Sequence, residues 1–113
     1  MANNTDIQAQ LQAAQDAETL IENQLETLPD PSFGPKLGDQ LDQIVSQINT
    51  LENLVVVAAS NAIADQTEKV TKSKAALDKL IGEDAEATSI VSGIDSFLAV
   101  MDEAIQTAKT AMA

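Results

Sequence analysis

The sequence predicts an all-α protein, an elongated antiparallel three-helix bundle of the coiled-coil type. Apolar residues recur at alternating steps of three and four along most of the chain, which places them on one face of a helix. The segments with this pattern are separated only by a proline-rich stretch at residues 29–38 and by Gly82, both of which interrupt helices. A length of 113 residues fits one helical-bundle domain.

The first predicted helix covers residues 5–28. Glu18 is the one residue in phase with its apolar positions that is not apolar. Three prolines follow within residues 29–35 and end the helix, so that residues 29–38 are expected to form a turn. The apolar positions in phase are Ile7, Leu11, Ala14, Ile21, Leu25 and Leu28.

The second predicted helix is long, covering residues 39–81, and carries two apolar stripes. The first stripe follows its first half and fails at Asp65, where the in-phase positions become charged. The second stripe lies about 100° further round the helix and follows its second half. The first stripe is Leu41, Ile44, Ile48, Leu51, Val55, Ala58 and Ala62, and the second is Val56, Ala59, Ile63, Gln66, Val70, Ser73, Leu77 and Leu80.

The third predicted helix covers residues 84–112 and has the widest apolar face. Gly93 lies within it, where glycine lowers helix stability by about 1 kcal/mol and allows a close helix approach or a bend. One seam contains Ile90, Ile94, Phe97, Met101 and Ala108, and the residues that widen it, which we predict as a candidate interaction surface, are Val91, Leu98, Ile105 and Met112.

An unbroken central helix would be about 65 Å long at 1.5 Å per residue. The first helix would cover its first stripe and the third helix its second stripe, leaving two ends only two helices thick. Such ends bury little apolar surface, so we expect other chains to complete them, most simply in a homo-oligomer. The alternative is a break near Ser60-Asn61, which would give a compact four-helix bundle.

The charge of the chain excludes several classes of partner. Eighteen acidic residues face six lysines and no arginine, which gives a net charge of −12. Nucleic acids and anionic membrane surfaces are therefore not expected as partners. Residues 1–65 hold ten acidic residues against Lys36 alone, a local net charge of −9. The other lysines cluster mainly near the end of the central helix, at Lys69, Lys72, Lys74 and Lys79.

No targeting or membrane segment is visible in the sequence. It contains no run of about 20 apolar residues, and its first residues lack the basic and apolar parts of a secretory signal. The cytoplasm is the default expectation, and export by a route without such a signal stays open.

The sequence offers no catalytic, cofactor-binding or metal-binding residues. Histidine, cysteine, tyrosine, tryptophan and arginine are all absent, which leaves carboxylates, lysines and hydroxyls as the only groups that could serve in catalysis. Carboxylates recur at helical spacing, and we interpret them as a solvated acidic face that is a candidate interaction surface. These residues are Glu18, Glu22, Glu26, Asp39 and Asp42.

Two main functions are consistent with these features. The first is a non-enzymatic structural or interaction protein, a helical-bundle subunit that self-associates or docks on helical partners in a larger assembly such as a secretion or phage-like structure. The alternative is an acidic chaperone or inhibitor whose acidic half binds a basic protein partner. A third and weaker hypothesis is an amphipathic coat protein that opens onto a hydrophobic surface.

Overall fold

The computed structural model describes residues 5–27, 31–53, 61–83 and 86–112. Within these ranges the chain forms four α-helices, one turn of 3-10 helix and no β-strand, which confirms the all-α class. The helices are α1 (Thr5–Thr27), α2 (Gly34–Asn53), α3 (Asn61–Gly82) and α4 (Ala87–Met112), and the 3-10 turn is Pro31–Phe33.

The turn after α1 is shorter than the predicted turn at residues 29–38, because α2 begins at Gly34 and not at Asp39. Pro35 lies in the first turn of α2. A proline is tolerated there because the first N–H groups of a helix have no partner within the helix. Gly38, the last residue of the predicted turn, therefore lies inside the helix.

Hydrogen bonds between side chain and backbone fix the direction of α2 relative to α4. Gln40 Nε2 donates to the carbonyl of Val91, and Gln47 Nε2 donates to the carbonyl of Leu98, each over 3.0 Å. Both helices advance by seven residues between these two contacts. They therefore run parallel to each other.

The same argument applies to α1 and α3. Gln10 Nε2 donates to the Thr67 hydroxyl over 2.9 Å near the start of both helices, and Asp16 and Asp78 line one cleft further along both. These helices are therefore also parallel.

The short connections after α1 and after α3 make two antiparallel pairs of helices. We call them the α1–α2 hairpin and the α3–α4 hairpin. The two hairpins lie side by side.

This arrangement contradicts the predicted continuous central helix. Among the described residues, α1 and α4 each pack against both α2 and α3, so α2 and α3 occupy opposite corners of the bundle and run in opposite directions. The longest dimension of the molecule is 45 Å, well short of the length of an unbroken helix over residues 39–81. The compact four-helix alternative describes the molecule, although residues 54–60, which include Ser60 of the predicted break at Ser60-Asn61, lie outside the described residues.

Folding the chain back between α2 and α3 lets both apolar stripes face one core. Two stripes about 100° apart on one straight helix would each need a separate neighbour, and both ends of the molecule would stay thin. In the compact bundle Ile44 and Leu51 of the first stripe and Val70 and Leu77 of the second are at most 1% exposed. Burial of apolar surface, worth about 25 cal/mol per Å², favours the compact form.

The predicted stripes are confirmed in part. In the first stripe Ile44, Ile48 and Leu51 are buried, Leu41 is half-buried, and Ala62 is exposed. Val55, Val56, Ala58 and Ala59 lie outside the described residues. The second stripe holds along α3, where the buried positions are Ile63, Val70 and Leu77 and the half-buried ones are Gln66, Ser73 and Leu80.

The predicted face of α1 is rotated in the structure. Positions 7, 14 and 21 are buried as expected, but Gln10, Ala17 and Gln24 fill the positions between them. Leu11 is half-buried and Leu25 is 37% exposed, so these two leucines lie at the edge of the core and not in its seam. The rotation keeps Glu18 out of the interior, because a buried carboxylate without a partner is far more costly than a buried amide.

Helix α4 supplies the largest share of the core. Its wide apolar face packs against α2 and α3, and Val100 is partly buried against the same core. The buried residues of this helix are Ile90, Val91, Ile94, Phe97, Leu98, Met101, Ala104, Ile105 and Ala108.

Gly93 allows a close approach between α3 and α4. A Cβ atom at this position would lie 2.7 Å from Leu80 Cδ1 and 3.4 Å from Leu77 Cδ1. The first distance is shorter than a van der Waals contact, so the absence of a side chain explains why the helices come this close. Leu80 is half-buried and its methyl group lies at the end of a flexible side chain.

We expect Gly93→Ala to leave the free energy of unfolding within about 1 kcal/mol of wild type, because the gain in helix propensity offsets the shift of the Leu80 methyl. Gly93→Leu adds volume that the contact cannot accept and should cost about 2–3 kcal/mol. Denaturation followed by far-UV circular dichroism measures both. An unchanged stability for Gly93→Leu would contradict the close approach.

Candidate functional site

The two hairpins differ strongly in charge. Helices α1 and α2 carry eight acidic residues and one lysine, Lys36, whereas α3 and α4 carry six acidic residues and five lysines. The helical net charge is therefore −7 for the α1–α2 hairpin and −1 for the α3–α4 hairpin. Nearly all of the helical charge imbalance lies on one side of the molecule.

Ion pairs accentuate this difference. Lys36 Nζ lies 3.2 Å from Asp95 Oδ2 on α4, so the single lysine of the α1–α2 hairpin is engaged across the bundle. Lysines of the other hairpin pair with acidic residues four positions away, at 3.0 Å for Lys72–Glu68, 2.8 Å for Lys74–Asp78 and 4.0 Å for Lys79–Glu83. Exposed pairs of this kind add little stability, but they place a carboxylate beside three of the four lysines of the cluster.

The five candidate carboxylates lie on the outside of the α1–α2 hairpin. Glu22, Glu26, Asp39 and Asp42 are exposed, and Glu18 is half-buried. None of the five forms an ion pair with a lysine of the described residues. Their charges are therefore available to a partner.

The packing of α1 places Glu18 and Glu22 on the side that faces α2. Ala13 and Asp16 line a cleft against α3, which marks the α3 side of this helix. Glu18 lies on the opposite edge of the buried stripe, and Glu22 follows it by one turn. Since α1 packs between α2 and α3, that opposite edge faces α2.

The packing of α2 brings apolar residues to the same place. Gln40 and Gln47 mark the side of α2 that faces α4. Leu41 and Val45 lie on the opposite edge of the buried stripe and therefore face α1. We call this surface the α1–α2 groove, and its residues are Leu11, Glu18, Glu22, Leu25, Leu41 and Val45.

The other two candidate carboxylates of α2 do not join this groove. Asp39 directly precedes Gln40 and lies beyond the edge of α2 that faces α4. Around the helix axis it is about 200° from Leu41, which faces α1. Asp42 lies on the outer face of the helix, away from the buried stripe. The structure thus separates the predicted acidic set into groove residues and residues outside the groove.

The predicted apolar interaction surface on α4 is used within the chain. Val91, Leu98 and Ile105 are 8%, 1% and 5% exposed and belong to the core. They are not available to a partner while the bundle is closed. The side chain of Met112 lies outside the described residues.

Sequence reasoning missed the buried glutamines. Gln47 is 4% exposed, and its Nε2 also donates to Asp102 Oδ1 over 2.7 Å. Gln40 makes the equivalent contact with Asp95 Oδ1 over 2.9 Å. The signal in the sequence is that both glutamines are in heptad phase with Leu37, Ile44 and Leu51.

A shallow cleft of about 400 Å³ lies between α1 and α3. Small residues such as Ala9, Ala13 and Ala75 form its walls. The charged groups at its rim are engaged locally, with Gln12 donating to Asp16 over 3.0 Å and Lys74 pairing with Asp78. Within the described residues no three acidic side chains come together as metal ligands.

No helix within the described ranges is long and apolar enough to cross a membrane. Comparison of the chain with protein families, curated proteins and solved structures finds no match.

The buried amide of Gln47 gives a pH-dependent test of the α2–α4 contact. We expect Gln47→Glu to cost at least about 3 kcal/mol near neutral pH, because it buries a charge beside Asp102. Burial raises the folded-state pKa of the introduced carboxyl group above its unfolded value of about 4.3. The decrease in the free energy of unfolding is therefore complete at pH values above that raised pKa. It disappears below about pH 4, where the protonated group resembles glutamine.

Gln47→Leu is the matched control. It removes the amide and its unpaired acceptor together, so its unfolding free energy should stay within about 1 kcal/mol of wild type, with no pH dependence relative to wild type. Urea denaturation at several pH values measures all three proteins. A Gln47→Glu variant as stable as wild type at neutral pH would contradict the buried contact.

Proposed function

We propose that this chain is a non-enzymatic interaction protein that binds a basic protein partner through the acidic surface of its α1–α2 hairpin. The observation that carries the proposal is the asymmetry between a hairpin with a helical net charge of −7 and one with −1. Asymmetry of this kind orients an approaching cation and raises its association rate.

The missing residue types support a role without catalysis. The chain has no histidine, cysteine, tyrosine or arginine, so acid–base and nucleophilic chemistry would depend on carboxylates, lysines and hydroxyls alone. The candidate carboxylates are exposed or half-buried and are not gathered in a cavity. A solvated carboxylate on a convex helix surface is suited to charge recognition more than to catalysis.

The compact fold also changes the balance between the two main hypotheses. Self-association was expected to cover bundle ends two helices thick, and the four described helices pack into one compact bundle instead. Among the described residues, the large apolar side chains left exposed are Leu25 and Val45, both on the α1–α2 hairpin. Binding of a different protein to that hairpin therefore explains more of the exposed apolar surface than self-association does.

Recovery of the partner on the immobilised chain tests this function. We expect a basic protein to be retained at about 0.1 M salt and released towards 1 M, where the Debye length falls from about 10 Å to about 3 Å. Replacing three exposed carboxylates of the α1–α2 hairpin with amides should reduce recovery several-fold. These changes are Glu22→Gln, Glu26→Gln and Asp42→Asn.

An equal change of charge beside the other hairpin provides the control. Asp65, Glu86 and Glu103 are exposed and form no side-chain ion pair with a described lysine. Their replacement by amides should leave recovery close to wild type. Recovery that does not depend on the salt concentration, or that falls equally for both triple variants, would contradict the role of the α1–α2 hairpin.

A further inference from the structure

The α1–α2 groove combines exposed apolar side chains with unpaired carboxylates. Leu25 and Val45 are 37% and 38% exposed, while Leu11 and Leu41 are half-buried and pack against the core from the groove side. Apolar residues at an edge of a bundle are common, but here they lie beside Glu18 and Glu22, and the one lysine described on this hairpin, Lys36, is paired with Asp95. The groove therefore offers contact area and charge together.

The antiparallel hairpin sets the order of residues along the groove. Counting 1.5 Å per residue from the turn between α1 and α2 gives the order Leu25, Glu22, Leu41, Glu18 and Val45. Leu25 and Val45 are separated by about 14 Å along the groove, and with Leu11 the groove extends over about 20 Å. Apolar and acidic groups thus alternate over a length that matches about 14 residues of α-helix.

We propose that the α1–α2 groove binds an amphipathic basic helix, with the partner's apolar stripe over Leu25, Leu41 and Val45 and its lysines or arginines beside Glu18 and Glu22. This inference rests on the proposed function and specifies the site and the partner class. A helix fits because apolar residues at steps of three and four form a ridge that enters the groove between two helices.

The negative charge of the groove disfavours the other possible occupants. A second copy of this chain docking through the same surface would add its own Glu18 and Glu22, so that the interface would contain four carboxylates. Like charges brought together in this way cost several kcal/mol. An acidic or neutral helix would leave both carboxylates partly desolvated without a partner.

The structure offers a control with the same change in charge. Glu18→Gln with Glu22→Gln removes two charges from the groove, and Asp39→Asn with Asp42→Asn removes two from outside it on the same hairpin. The probe is a labelled synthetic peptide of about 16 residues with leucines at steps of three and four and lysines on both flanks. A peptide of identical composition in scrambled order has the same charge without the apolar stripe.

Fluorescence anisotropy of the labelled peptides gives their affinities for the full chain. We expect the amphipathic peptide to bind about tenfold more tightly than the scrambled one, and the groove variant to weaken it by about tenfold. The Asp39 and Asp42 variant should weaken it less than threefold. Leu25→Ala with Val45→Ala should remove most of the preference for the amphipathic peptide. Circular dichroism checks that each variant stays folded.

Two results would contradict the proposal that the groove binds a basic helix. If both peptides bind equally and both charge variants weaken binding equally, the attraction is a diffuse property of the acidic hairpin, and the proposed function survives without this site. If neither peptide binds, the groove fails as a site for basic helices. The partner-recovery experiment then decides the proposed function on its own.

Discussion

The interior of this bundle admits amides and excludes carboxylates, and that constraint determines how its helices are rotated. Glu18 is in phase with Leu11 and Leu25, so a core built on that face of α1 would bury its charge. The structure instead buries Gln10 and Gln24 and moves both leucines to the edge. A buried amide with one unpaired atom costs about 1–3 kcal/mol, whereas a buried carboxylate without a partner costs considerably more.

The buried amides also define how the two hairpins meet. Gln10 reaches from α1 to Thr67 on α3, and Gln40 and Gln47 reach from α2 to α4, so all three contacts cross between hairpins. Each of these amides leaves a buried Oε1 without a donor among the described protein groups, which costs about 1–3 kcal/mol each. Directional bonds of this kind set the register between hairpins, at some loss of stability relative to an apolar interface.

Much of the secondary structure could be predicted from the sequence, and the arrangement of the helices could not. The stripe through Val70 and Leu77 and the wide face of α4 follow from apolar spacing alone. The rotation of α1 does not, because positions 7, 14 and 21 belong equally to a seam with Leu11 and to one with Gln10. The direction of α3 relative to α2 could not be predicted either, since two stripes about 100° apart fit one straight helix as well as two helices that fold back on each other.

The acidic residues were predicted as a set, and only the three-dimensional packing divides them. Glu18 and Asp39 have the same charge, and the apolar phase of Glu18 alone does not show that it lies beside α2. Their difference depends on which neighbour lies on each side of α1 and α2, which no local pattern records. The groove exists because the exclusion of Glu18 from the core leaves it beside the leucines that were displaced with it.

The rotation of α1 determines both the core and the groove, and thiol labelling tests it directly in a chain without cysteine. Gln24 is 8% exposed and Leu25 is 37% exposed, so adjacent residues should differ in accessibility. Single substitutions Gln24→Cys and Leu25→Cys can be labelled under native conditions and compared with the unfolded chain. We expect Leu25→Cys to react at least about tenfold faster than Gln24→Cys. The reverse order would mean that the face with Glu18 points inward, and would contradict both the rotation and the groove.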